Sequence, residues 1–425
     1  MPWTVASKIT PVALWQSALK RPTWFAQGVN AGSSLVLVAL LTRYLPVDDY
    51  ATYATVLASY AFGNALVGTT IGTRVIEGLT AGGLHKIELS LRRDGPPVIA
   101  CLAAAAATTL IIRVNLLVAA AASAGMLGIL LAELGGAYAL GLQRYWAYAT
   151  LTFAQAALWL GSVVVAIVLV PQSERLPICL AAVAVGSLPA VAYLAVRRAV
   201  ALTRGRPRYR RHSAISAVGV TNLALWVLAS GDRIILSQYA LAALATYAAI
   251  YGLLDRVFRT VANAEIQQRL PGAFLNESAN REQTAGYSRR TLLVLVSAGC
   301  IAAVAAPSAI KLITGGHYDP PIGMSVVLSF AMIVMLAAVP TYVSLIAQGR
   351  TKAVAMVAVV AASVNIIGNL VLAPLYGTGS AAALTLIGYA IWLGGITVIK
   401  RTATSWQRPT TNLRHSDGSA IARGD

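Results

Sequence analysis

Tyr247, Tyr251, Asp255, Arg259 and Asn263 recur at four-residue spacing inside an apolar stretch, which places them on one face of a helix. Arg256 sits beside that face. A second stretch carries Asn222, Trp226, Ser230 and Arg233 at similar spacing, with Asp232 adjacent. A third has Gln27, Asn30 and Ser34 and then Arg43; a fourth has Tyr53, Tyr60 and Asn64, then Arg74 and Glu77. Guanidinium groups in such settings grip phosphate or carboxylate through two parallel hydrogen bonds and stay charged. Tyr53, Tyr60, Tyr247, Tyr251 and Trp226 offer rings for stacking on sugars, and Asn30, Asn64 and Asn222 offer hydrogen bonds to hydroxyls. The plain alternatives are structural. Asp232–Arg233 and Asp255–Arg256 would neutralise one another as pairs, while Arg43, Arg74, Arg256 and Arg259 would snorkel to headgroups. Glu133 stands alone among small residues and reads as a protonated helix-contact residue. Asn365 and Asn369 share a helix face, where interhelical hydrogen bonding is the default.

The elements that position these residues follow from composition. Of 425 residues, 57% are hydrophobic and only 11% charged, against about 25% charged in soluble domains; mean hydropathy is +0.69. These figures exclude a soluble globular enzyme, a disordered chain and a disulfide scaffold. Cys101, Cys179 and Cys300 lie in separate apolar runs, so they form neither a metal cluster nor a disulfide framework. Apolar stretches predict twelve membrane spans near 23–44, 49–72, 96–112, 116–141, 146–170, 177–196, 214–236, 240–262, 291–312, 323–347, 353–373 and 380–399. A charge at the centre of a membrane helix costs about 2.5–3.5 kcal/mol on the insertion scale, so such residues face a bundle interior or a wet cavity.

The net charge of +18 reflects a bilayer rather than nucleic acid. With the N-terminus inside, 25 Lys and Arg residues fall in inner connections and the tail, and only Arg43, Arg113, Arg175 and Lys311 fall outside. Both termini are therefore expected in the cytoplasm. Arg outnumbers Lys 27 to 6 in an Ala-rich chain, which points to a GC-rich bacterium and its plasma membrane. Residues 1–22 lack the clean apolar core of a cleavable signal and read as an interfacial segment.

The chain divides at the basic segment 197–212, leaving an N-lobe at 23–196, a C-lobe at 213–399 and a basic, disordered tail at 400–425. The tetrapeptide Ala51-Thr52-Tyr53-Ala54 returns as Ala245-Thr246-Tyr247-Ala248 at the head of the second helix of each half. That placement indicates duplication in parallel repeats about an axis along the membrane normal. Spans 3, 5, 6, 9 and 12 are almost purely apolar, so spans 1, 2, 7 and 8 are expected to line one polar cavity between two six-helix lobes.

The stretch Asn365-Ile-Ile-Gly-Asn369, followed by Pro374, Gly377, Gly379 and small residues, resembles the penultimate hairpin of bacterial lipid-linked polysaccharide flippases. The glycines stand one residue closer than in that family. Gly231-Asp232-Arg233 with Tyr247 is similar to its span 7–8 hairpin, and Arg43-Tyr44-Leu45-Pro46 with Asp49-Tyr50-Ala51-Thr52-Tyr53 to its span 1–2 hairpin. The resemblance implies the multidrug/oligosaccharidyl-lipid/polysaccharide exporter superfamily. It implies a flippase for a polyprenyl-diphosphate-linked saccharide, working by alternating access for surface polysaccharide or cell-wall assembly. Arg43 and Arg233 would hold the head, assisted by Arg256 and Arg259. No cofactor is expected; protons, Na+ or the membrane potential would bias the cycle. Anionic lipids, or a polysaccharide synthase or polymerase, would meet the basic loops of a monomer. A cation-coupled drug exporter of the same superfamily is the alternative, although span 1 lacks the carboxylate usual there. A major-facilitator carrier would need a glycine–acid–basic signature that residues 82–95 lack. A lipid-linked glycosyltransferase would need larger outer loops than this chain has.

Overall fold

The computed structural model describes residues 22–80, 86–112, 115–203, 215–239, 241–274, 286–313 and 319–406. The interfacial segment 1–21, the arginine-rich stretch 204–214 and the tail from 407 lie outside them, as does Arg113. Two lobes of helices make up an all-α polytopic fold. The N-lobe holds α1 (Pro22–Tyr44), α2 (Val47–Gly63), a π-helical turn (Asn64–Gly68), α3 (Thr69–Thr80), α4 (Leu91–Ile112), α5 (Leu116–Gly141), α6 (Tyr145–Leu169), α7 (Arg175–Gly186) and α8 (Leu188–Val196). In the C-lobe are α9 (Ile215–Tyr239), α10 (Leu241–Ala273), α11 (Arg289–Ile313), α12 (Ile322–Ala347) and α13 (Thr351–Trp406). α2, the π turn and α3 fill one predicted span, α7 and α8 fill another, and α13 fills the last two, so the rods fall where twelve spans were expected. Among the described residues, seven helical stretches are long and apolar enough to cross a membrane by length and composition.

α13 is a hairpin. Gly377 breaks it with φ 61° and ψ −140°, and Gly368 then packs against Leu384, Gly388 against Ala361, and Gly395 against Val357. That backbone region is almost closed to residues with a Cβ, at a cost of about 1–3 kcal/mol. Gly377→Ala is therefore expected to lower the free energy of unfolding by about that amount, seen as a lowered thermal midpoint in detergent, and an unchanged midpoint would contradict the hairpin.

Two details recur in both lobes. α5 and α12 both end in a left-handed cap followed by arginine: Gln143 at φ 57° before Arg144, and Gly349 at φ 72° before Arg350. In both, the arginine N–H reaches back five residues, to Ala139 O (2.8 Å) and Leu345 O (2.9 Å), satisfying carbonyls that the helix end leaves open. Likewise Ser123 Oγ donates to Leu102 O (3.3 Å) and Ser325 Oγ to Ala303 O (2.6 Å), tying the same two neighbouring spans in each lobe.

Two departures from the sequence reading occur at the end where the basic linker lies, called here the linker end. β1 (Ile87–Ser90) and β2 (Val200–Thr203) pair in parallel, Ile87 opposite Val200, so the segment read as linker begins as a strand. The tail begins helical, since α13 runs on to Trp406.

Apolar packing is asymmetric. A single core takes in the C-lobe and continues across into Ala26, Val75, Ile76, Leu134 and Tyr148 of the N-lobe. The rest of the N-lobe, including Leu41, Tyr53 and Val163, forms a separate cluster. The lobes are therefore fused by hydrophobic contact toward the linker end and keep separate cores toward the far end.

Candidate functional site

The deepest polar group lies inside the C-lobe. Asp232 of α9 is fully buried. It accepts hydrogen bonds from the Tyr247 hydroxyl, from Thr385 Oγ1 (3.2 Å) and from the backbone N–H of Arg233 (2.7 Å). The Arg233 guanidinium makes no salt bridge with it, lying 4.4 Å from the centre of the Tyr251 ring and donating to Ala229 O at 3.4 Å, although its charge still acts on Asp232 through space. Buried carboxylates normally take a full ionic partner; this one is held by hydroxyls and one amide.

The same level of the lobe carries Asn365 and Asn369, both fully buried. Ile366 packs against Gly231, and Gly368 against Leu384, so this stretch of α13 lies against α9 near the level of Asp232. Asn369 Nδ2 donates to Asn365 O (2.9 Å) within its own helix. Asn365 Oδ1 and Nδ2 and Asn369 Oδ1 find no partner among the described residues. The expected interhelical hydrogen bonds are thus not made, and leaving such groups unpaired costs about 1–3 kcal/mol each. A buried carboxylate with hydroxyls on it suits a proton, and were the orphaned asparagine oxygens to turn toward it the group would make a donor set for a hard cation.

Further along α10, Asp255 pairs with Arg259, not with Arg256: Nη2–Oδ1 is 2.7 Å and Nε lies 3.1 Å from both carboxylate oxygens. Both side chains keep partial access, 19% and 35%. Arg256 reaches across the lobes to Ser34 Oγ of α1 (2.8 Å).

The lobes meet along two seams. In the first, Gln27 Nε2 donates to Gln267 Oε1 (3.0 Å) and to Tyr148 Oη (2.9 Å). In the second, Asn222 Nδ2 donates to Thr69 Oγ1 (2.9 Å), and Trp226 meets Phe62 edge-on at 5.8 Å. Gly219 belongs to this seam because a Cβ there would come within 2.4 Å of both Leu66 O and Thr70 Oγ1. Gly219→Val should overpack the seam by about 1–3 kcal/mol, moving the closed-to-open ratio about 5–150-fold toward separation. Distances between spin labels on the two lobes at this end would register the shift; an unchanged distribution would mean that the seam yields without opening.

The residues singled out from sequence divide accordingly. Asp232, Arg233, Tyr247 and Tyr251 come together, with Asp255 and Arg259 farther along the same helix. Asn222, Trp226 and Arg256 join the lobes. Asn64 lies within hydrogen-bonding reach of Glu133 at the π turn. Asn30 is exposed on the flank of α1 that carries Gln27 and Ser34. Arg43 is exposed at the end of α1, and among the described residues no hydrogen bond, ion pair or ring contact joins it to Arg233. Tyr53, Tyr60, Tyr247 and Tyr251 are each at most 1% exposed, so the expected stacking platforms are core residues in this conformation. Tyr60, for one, donates to Ala122 O (2.7 Å). Arg74 is structural, bridged to Asp94 at 2.8 Å. The sequence reading passed over Thr385 and Tyr389, which repeat at four-residue spacing in a span taken as apolar; that spacing was the available signal.

No family model matches this sequence, and no curated protein matches it. Solved structures do. A crystal structure of a MATE point mutant aligns with TM-score 0.69 at 13% identity over 92% of this chain and 96% of its own. An outward-facing multidrug resistance MATE family transporter of the MOP superfamily gives 0.66 at 13% identity, over 91% and 95%. A mutant of the Vibrio cholerae MATE transporter VcmN gives 0.60 at 13%, also over 91% and 95%. The likeness is one of fold, and it covers both lobes.

Proposed function

We propose that this chain is a cation-coupled exporter of small amphipathic molecules, alternating between openings at either end of the lobe interface. The observation that carries the reading is the buried Asp232, a carboxylate that among the described residues makes no salt bridge and is held by hydroxyls and one backbone amide, in a lobe that also buries the unpartnered amide atoms of Asn365 and Asn369. Asp232, Thr385, Asn365 and Asn369 would hold the coupling cation, whose positive charge would offset the buried carboxylate. The likeness to MATE structures, one of them titled a multidrug resistance transporter, supports the same reading.

The chain's own residues supply the rest of the cycle. Gln27, Asn222 and Gly219 close the interface at the linker end. Asp255 and Arg259 keep partial access, and the Arg259, Arg256 and Arg233 guanidiniums favour cargo with an anionic or strongly polar head. The excess of Lys and Arg in the linker-end connections supports a bacterial plasma-membrane location with that end cytoplasmic.

The lipid-linked saccharide flippase remains as a second reading, favoured by Arg256. Its hydrogen bond goes to a neutral hydroxyl between the lobes, which leaves its charge available to a diphosphate. Proteoliposomes separate the two. Uptake of a fluorescent amphipathic dye driven by a Na+ or proton gradient is expected under the exporter reading. Under the second reading, translocation of a fluorescent polyprenyl-diphosphate saccharide, scored by loss of quencher protection, would proceed while dye uptake stays at the level of empty vesicles.

A further inference from the structure

Four exposed cations gather on the N-lobe at the linker end, on a surface that the transport cycle does not use. β1 and β2 build it. Ile87 lies opposite Val200, and its N–H donates to Ala199 O at 2.6 Å. Lys86 and Arg198 each stand one residue before that bonded pair, on neighbouring backbones about 4.8 Å apart. At the other end of the sheet, about 10 Å away by the rise of a strand, Ser90 lies opposite Thr203. There the Asp94 carboxylate takes the Ser90 N–H at 2.9 Å and closes the first turn of α4, which carries Arg92, onto β1. Arg197 precedes Arg198 and sets its guanidinium 5.9 Å from the centre of the Tyr193 ring.

Lys86, Arg92, Arg197 and Arg198 are all exposed, and none makes a salt bridge among the described residues. Asp94 is turned inward onto Arg74. Residues 86–93 and 197–203 hold five cations and one acid, Glu88. The apolar neighbours fix the depth. Val196, next to Arg197, is 82% exposed, and Ile99, two turns past Arg92, is 66% exposed. In a spanning helix such side chains face hydrocarbon, so the cations beside them lie at headgroup level. The backbone adds a second observation. Arg198 has φ 47°, in the left-handed region, at the cap where Ala199 N–H reaches back to Leu194 O (3.0 Å). Gly349 fills the same place after α12, whereas an L residue there is strained. Arginine thus occupies a position where the backbone favours glycine.

We propose that this patch binds the anionic headgroups of phospholipids in the linker-end leaflet, with Lys86, Arg92, Arg197 and Arg198 as donors to phosphate. Guanidinium forks match phosphate oxygens, and the lysine adds a point charge. Four like charges on one small sheet repel one another, and an anion placed among them removes that repulsion. The lipid surface is the source that the placement favours, because it presents phosphate at this depth, beside Val196 and Ile99. A bound headgroup joins the α3–α4 connection to the strand that leaves the N-lobe, and binding to the folded lobe alone stabilises it. The site is separate from the Asp232 group and does not depend on what the protein carries.

Thermal unfolding of the full chain in nanodiscs tests the site, with phosphatidylcholine alone compared against phosphatidylcholine containing phosphatidylglycerol. The midpoint should rise with the phosphatidylglycerol fraction. Arg197→Gln should raise the fraction needed for half the effect about fivefold, the worth of one near-surface charge, and Lys86→Gln with Arg92→Gln and Arg197→Gln should abolish the response. Arg198→Gly separates binding from structure. It relieves the left-handed strain, so in phosphatidylcholine it should unfold no earlier than the unsubstituted protein, yet its response should weaken about fivefold. Gln143→Gly relieves the same strain after α5 without removing a charge and should keep the full response. Arg350→Gln with Lys352→Gln, two exposed cations of the C-lobe at the same end, should keep it as well. If that pair lowers the response as much as the patch variants do, the whole rim attracts the lipid and the proposal falls. It falls too if the unsubstituted protein is indifferent to phosphatidylglycerol. A midpoint raised equally by inorganic phosphate in phosphatidylcholine discs would make the patch a soluble-anion site and overturn the lipid assignment.

Discussion

Asp232→Asn is expected to cut the response of transport to an ion gradient severely while leaving the protein folded. Asparagine has the same shape, and its amide can meet Tyr247 and Thr385 with donor and acceptor roles reversed while its oxygen keeps the Arg233 N–H. What disappears is the ionisable charge. Coupling between two sites is typically worth about 1–3 kcal/mol, so gradient-driven dye uptake should fall about 5–150-fold. Thermal unfolding in detergent checks that the fold survives. A companion substitution sharpens the test. If Asn365 were only a poorly satisfied core residue, Asn365→Leu would be neutral or stabilising, because it removes an unpaired polar group. If Asn365 serves a cation, the same change should cost ion dependence and stabilise nothing in the presence of that ion. Full gradient dependence in Asp232→Asn would remove the ground for cation coupling at this position.

The helical architecture was legible because the bilayer allows few alternatives. Spans must satisfy their own backbone, and the four-residue rhythm of Tyr247, Tyr251, Asp255 and Arg259 marked one face of α10 before any coordinates. The reading failed where it needed to know how each helix is rotated within its lobe. Tyr53 and Tyr247 were placed toward a chamber and lie in the cores, because burial of the ring outweighs exposure once the lobe closes around it. The structural alternative pairs Asp232 and Asp255 with their sequence neighbours Arg233 and Arg256, yet adjacent side chains diverge on a helix, and Asp255 takes its i, i+4 partner Arg259. Asn64 sits in a π turn, which leaves no sequence signature. β1 and β2 are four residues each, too short for alternation to register.

Asp94→Ala should be among the most destabilising single changes in the N-lobe. Asp94 Oδ1 lies 2.8 Å from Arg74 Nη1, with side-chain exposures of 11% and 10%. Its other oxygen accepts the Ser90 N–H at 2.9 Å. One carboxylate thus fastens the middle of α3, the close of β1 and the start of α4. Removing it leaves Arg74 buried and unpaired, which typically costs about 3–5 kcal/mol, whereas replacing both partners with apolar residues of similar volume is often neutral. Arg74→Met with Asp94→Leu should therefore recover much of the stability that Asp94→Ala loses, and a thermal or denaturant double-mutant cycle measures the difference. The consequence reaches the transport cycle because α3 supplies Thr69 and Thr70 to the interlobe seam and Gly72 to Glu133. A loosened α3 should weaken the seam, so labels at positions 144 and 350 should report more of the linker-end open state in Asp94→Ala. If stability falls and that distribution stays put, the bridge holds the N-lobe together without setting the position of α3 against α9.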